Sequence, residues 1–135
     1  MEQNKVFSMD MLDEIQTRGV EVVYKGFVFF TRMLTSGAVY AYSTNQFKFY
    51  NAKSEAEREN AMNESTRVVL MNGVVTENGD AFFTKESYKK FIAKADVEAI
   101  KRLEETILGL TLSDQEKNES SEQSTQTQES KTDSE

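Results

Sequence analysis

The chain contains no cysteine, no histidine, no tryptophan and no proline. Without cysteine there is neither a disulfide nor thiolate chemistry, which fits a reducing cytoplasm. Loss of both cysteine and histidine removes the usual zinc and copper ligands. It also removes the common nucleophile–base pairs. A serine–lysine pair is the remaining route to covalent catalysis, yet no S-x-x-K pattern stands beside a glycine-rich turn. The six glycines are scattered singly at turns and helix ends, so no phosphate-binding loop is visible. The start of the chain has no long apolar run, and the expectation is neither a signal peptide nor a membrane span. These absences leave no candidate catalytic, metal or cofactor residue, and the expected protein is not an enzyme.

What is present divides the 135 residues in two. Residues 113–135 carry no apolar side chain, so they cannot offset the entropy of ordering and are expected to be a disordered tail. The tail holds seven acids and two lysines, a net of −5 out of the chain's −7, which leaves −2 for the body. A nearly balanced body beside an acidic tail argues against nucleic acid, because phosphate contacts need clustered cations. The tail is expected to raise solubility. Residues 1–112 form the expected folded interaction domain, large enough for one modest core.

The pattern within the body is α+β and helix-rich. Ser8 can cap a first short helix whose Met9, Leu12 and Ile15 share a face, with Phe7 stapled onto Leu12 and Gly19 as the stop. Val20 to Leu34 alternates about Lys25-Gly26 and reads as an N-terminal β-hairpin. Thr35 caps a short helix through Ala38, Val39 and Tyr42. Phe47, Phe49 and Tyr50 then form an aromatic connecting segment. Ser54 and Glu57 make a capping box that opens a longer helix with a buried stripe of Ala61, Met62, Ser65, Val68 and Val69, ended at Asn72-Gly73. Val74 to Thr76 and Ala81 to Phe83 flank Asn78-Gly79 as a short second hairpin or a looser turn. Two amphipathic C-terminal helices follow. Thr84 caps the first, which carries Tyr88, Phe91, Ile92 and Ala95. Asp96 caps the second, which carries Ile100, Leu103, Ile107 and Leu110.

The residues that could do chemistry read as structure. Treating Asn78-Gly79-Asp80 as a calcium loop puts Val74 and Lys85 at positions that require carboxylates. Glu55, Glu57 and Glu59 alternate along a helix and share no face. Asp10, Asp13 and Glu14 form the wet side of an amphipathic helix. Aromatic content is the stronger signal. Phe27, Phe29, Phe30, Tyr40, Tyr42, Phe47, Phe49 and Tyr50 fall within 24 residues. Most of these belong in a core, and those left over would form a protein-binding patch. The expected binding residues are Phe27, Phe29, Tyr40 and Tyr42.

Tyr24-Lys25-Gly26-Phe27 followed by Arg32-Met33-Leu34-Thr35, and later Gly73-Val74-Val75-Thr76-Glu77-Asn78-Gly79-Asp80-Ala81-Phe82-Phe83-Thr84 followed by two helices, resemble the tail assembly chaperones of long-tailed bacteriophages. The likeness runs from about Val20 to Leu112. It implies a non-enzymatic chaperone that binds the long helical tape measure protein, keeps it soluble and helps recruit tail tube subunits. It also implies work in the host cytoplasm, absence from the mature virion, no membrane partner, and either self-association or several copies on one partner. In this family a programmed frameshift often adds a second domain, and the polar tail here would suit the unshifted form. Two other readings fit the composition: a small regulator or inhibitor of a single globular target, and a minor structural subunit of the virion.

Overall fold

The computed structural model describes residues 4–16 and 18–112. The expected tail, residues 113–135, lies outside them. The fold is α+β: a three-stranded antiparallel sheet in the order β1-β2-β3 beside a set of helices. β1 spans Arg18–Tyr24, β2 Phe27–Arg32 and β3 Val74–Val75. The helices are α1 (Ser36–Tyr50), α2 (Glu55–Gly73), α3 (Lys85–Lys94) and α4 (residues 97–112).

The hairpin forms where its sequence requires it. Lys25 and Gly26 both have positive φ, 50° and 83°, as in the two-residue turn whose twist matches the strands it joins. Tyr24 pairs with Phe27, Val23 with Val28 and Val22 with Phe29. The register slips between Arg18 and Glu21, a bulge opposite Thr31. Gly19 therefore lies inside β1 and does not stop a helix. A Cβ there would stand 2.6 Å from the Thr31 carbonyl oxygen, so the bulge needs glycine. Thr31 secures it by donating its hydroxyl to the Val20 carbonyl at 2.6 Å.

The expected first helix is a 3₁₀ helix at Met9–Ile15 with no buried residue. Ser8 gives no side-chain cap and its hydroxyl turns to Asp10 instead. Seven residues are too few to hold an α-helix without a packing partner, and Met9, Leu12 and Ile15 stay exposed.

The helix caps follow local chemistry. Thr35 accepts from the Ala38 amide, Ser54 from Glu57, and Thr84 and Ser87 cap α3 reciprocally. Glu57 completes only half of its box, because its carboxylate accepts from the Lys53 amide. α1 is longer than its sequence pattern suggests. Phe47, Phe49 and Tyr50 form its last turn, closed at Asn51 by bonds back to the Phe47 carbonyl. α2 packs along α1, and Gln46 reaches across to donate to Ser65 at 3.1 Å. Met62 lies off the buried stripe of α2 and is half exposed, while Ala61, Ser65, Val68 and Val69 are buried. The second hairpin takes its looser form: β3 pairs with β2, and Val75 makes one isolated bridge to Ala81.

One core joins these elements: Val22 and Val74 of the sheet, Val68, Val69 and Leu70 of α2, Phe83 and Tyr88, and Leu103 and Ile107 of α4. Gly73 lets α4 close on the end of α2, since a Cβ there would sit 2.5 to 2.8 Å from three carbons of Ile107. Thr111 ties down the far end of α4. It donates to the Ile107 carbonyl at 2.8 Å and accepts from the Leu34 amide at 2.9 Å.

Glu104, on α4, is a partly buried acid. It accepts from the Thr66 hydroxyl at 3.1 Å. Burial raises its pKa, Thr66 opposes that rise, and Glu105 adds to it. A carboxyl whose folded pKa is raised favours the fold while it is protonated, and that contribution is lost as pH climbs through the raised value. Glu104→Gln keeps an acceptor for Thr66 and removes the charge. Its melting temperature should exceed that of the native chain at neutral pH, and the gap should close towards about pH 4, near the ordinary carboxyl range. Thermal melts across that window check this; a gap independent of pH would place the effect elsewhere.

Candidate protein-binding surface

The hairpin tip is fixed on one side and open on the other. The Tyr24 hydroxyl donates to Asp96 Oδ2 at 2.8 Å, and Lys25 Nζ pairs with the same oxygen at 2.8 Å. The Arg102 guanidinium lies 5.4 Å from the Tyr24 ring centre and donates to the Val23 carbonyl at 3.5 Å, which covers part of the free edge of β1. The Lys25 ammonium and then the Tyr24 hydroxyl hold the Asp96 carboxyl below its usual range, and Asp96 in turn raises Tyr24 and Lys25. The Asp96 side chain is thus spent on the hairpin. Only its carbonyl serves α4, accepting from Ala99 and Ile100.

The opposite edge of β2 is uncovered. β3 pairs only with Phe30 and Thr31, so Phe27 to Phe29 have no strand beside them there among the described residues. A groove of about 440 Å³ fills this notch, walled mainly by Phe27, Val28, Phe29, Val75 and Phe82. Phe27 is 73% exposed and Phe82 51%, so two large rings stand at its rim. Beneath them Phe29, Phe91, Phe83 and Tyr88 stack edge to face or tilted, with centroids 5.0 to 6.1 Å apart. Phe82 joins the same series, 5.0 Å from Phe83. The groove is therefore an apolar surface backed by a rigid aromatic layer.

Of the four residues expected from sequence, Phe27 lies on this rim and Phe29 packs against the core. Tyr40 and Tyr42 lie on α1 and line no part of the groove. Tyr40 is 76% exposed and shares the outer stripe of α1 with Phe47 and Tyr50, whereas Tyr42 packs inward. Burial, then the negative charge of Glu104, raises the Tyr42 hydroxyl pKa. Sequence reasoning missed Phe82. The signal was there: in an extended pair such as Phe82-Phe83 only one side chain can face the core, and Phe83 is the buried one.

A second, polar cleft of about 480 Å³ lies between Gln16, Arg32 and the Glu77–Asp80 turn. Arg32 donates there to Gln16 at 3.2 Å. Asp13, Glu21, Glu77 and Asp80 line it, yet no three acids converge to hold a cation among the described residues. The groove's lining is apolar apart from Thr76 and Glu77, so what it offers is hydrophobic contact. No helix among the described residues is long and apolar enough to cross a membrane. Compared with known protein families, curated proteins and solved structures, the chain has no match.

Proposed function

We propose that this protein is a non-enzymatic assembly chaperone of a long-tailed phage. In this reading it binds the tape measure protein in the host cytoplasm, helps recruit tail tube protein, and is absent from the finished virion. The observation that carries it is the aromatic groove between Phe27 and Phe82, an exposed apolar surface on a rigid base. A long helical protein awaiting its tube presents apolar stripes at helical spacing. An amphipathic helix laid into such a groove buries its anchors at i, i+3/i+4 and i+7. Many small modules along one partner gain by multivalency without new contacts. The resemblance of the hairpin and of the Gly73 to Thr84 run supports the same reading.

Co-expression with a phage tape measure protein, the partner this reading names, tests it. Expected is a partner that turns soluble and co-purifies with several copies of the chain. One-to-one binding to a globular target instead would favour a regulator, and presence in purified particles would favour a virion subunit.

A further inference from the structure

Two apolar surfaces lie open among the described residues. One is the groove between Phe27 and Phe82. The other is the segment that precedes β1. None of residues 4–16 is buried, and Met9, Leu12 and Ile15 are 71%, 41% and 64% exposed. A 3₁₀ helix has three residues per turn, so its side chains at i and i+3 eclipse. Met9, Leu12 and Ile15 therefore stand in one line along Met9–Ile15. At about 2 Å of rise per residue that apolar ridge is roughly 12 Å long. Asp10 and Asp13 form the next line. Glu14 pairs with Lys5 at 3.8 Å, whereas Asp10 and Asp13 have no cation beside them among the described residues.

The groove has the matching pattern with the opposite charge beside it. Phe91 of α3 backs Phe29, with ring centres 6.1 Å apart, and α3 begins three residues after Phe82. Its ten residues carry Lys85, Lys89, Lys90 and Lys94 against Glu86, a net of +3. None of these lysines forms an ion pair among the described residues. Glu77 is the acid in the groove's own lining. An acid-flanked apolar ridge thus meets a lysine-flanked apolar groove.

The ridge is held away from the groove of its own molecule. Arg32 donates to Gln16 at 3.2 Å, which fixes the end of the segment at the far end of β2 from Phe27. Five strand steps, roughly 17 Å, separate those two ends. The groove of a second copy is under no such constraint. Exchanging an end segment is a low-cost route to a dimer, and a twofold axis closes it after two equal contacts.

We propose that the Met9, Leu12 and Ile15 ridge of one copy seats in the Phe27–Phe82 groove of a second, reciprocally, with Asp10 and Asp13 towards the lysines of α3. The groove is thereby shielded until a client helix displaces the ridge. The pairing of copies stands whether or not that client is the one proposed above.

Sedimentation of the full chain across a concentration series tests this without any client. Expected is a mass that rises from one copy to two. Leu12→Ser with Ile15→Ser, and separately Phe27→Ser, should each raise the dimer Kd at least about tenfold. A one-to-one mixture of the two variants should associate more tightly than either alone. One variant keeps a sound groove and the other a sound ridge, so one of the two contacts returns. A single-copy mass throughout overturns the proposal, as does association that ignores the ridge variant. Absence of rescue on mixing also overturns it, because the contact would then be groove on groove or ridge on ridge. Mass that keeps growing past two copies overturns the reciprocal pairing. The ridge touches no core, so the ridge variant at single-copy dilution should melt as the native chain does. A lowered melt there would assign the ridge to its own fold and overturn the proposal.

Discussion

Leu103→Ala should destabilise the fold by about 2–5 kcal/mol, the range for truncating a buried leucine where the site collapses only in part. Leu103 is fully buried, and it lies in the cluster that joins α4 to α2 and the sheet. Its surroundings have little room to close, because Gly73 and Ile107 already meet at the limit of contact. A domain of this size has a total stability of roughly 5–15 kcal/mol, so the loss would be a large share of it. The readout is a fall in the urea midpoint with the slope unchanged. Val97→Ala, on the same helix, is the control: Val97 is 79% exposed and touches no core, so its effect should stay within about 0.5 kcal/mol. Equal effects at the two positions would mean that α4 does not pack as described.

Sequence and structure agree where the cause is local. The Lys25-Gly26 turn and the caps at Thr35, Ser54 and Thr84 each depend on residues within one turn of chain. They part where the cause is distant. Asp96 reads as a side-chain cap, but Tyr24, 72 residues earlier, takes its carboxylate. Phe47 to Tyr50 carry residues that favour strands on a weak scale, and packing of α1 on α2 outweighs it. Met62 falls within a helical stripe by spacing, yet the direction from which α1 approaches α2 decides which flank is covered. The candidate site was half legible for a similar reason. Phe27 and Phe29 share one face of β2, so alternation could not separate them. Only the reach of the aromatic layer beneath does so, covering Phe29 through Phe91 and leaving the tip open. Tyr40 and Tyr42 were separable, since two residues on a helix differ by about 200° in direction.

That separation permits a test that binding and folding answer differently. Phe27→Ser combined with Phe82→Ser should abolish capture of the long helical partner while leaving the fold intact. Exposed aromatic rings that a partner covers are common interface anchors, worth about 2 kcal/mol each when truncated, so the pair should weaken binding by at least about 100-fold. Phe27 is mostly exposed, whereas Phe82 is half buried against Phe83, so the pair should cost about 1–2 kcal/mol of stability and keep a cooperative melt. Phe29→Asp should do the reverse. It puts a carboxylate against Phe91 and the core, where an unpaired charge is costly, and the chain should lose its cooperative melt. Partner capture in co-expression and thermal melts of the same variants give the two readouts. Full capture by the Phe27/Phe82 variant would remove the groove as the binding surface. Loss of capture on changing Tyr40 and Phe47 instead would move the site to the outer stripe of α1, a second exposed aromatic surface. Because that stripe and the groove draw on different elements, the two outcomes cannot be confused with each other or with unfolding.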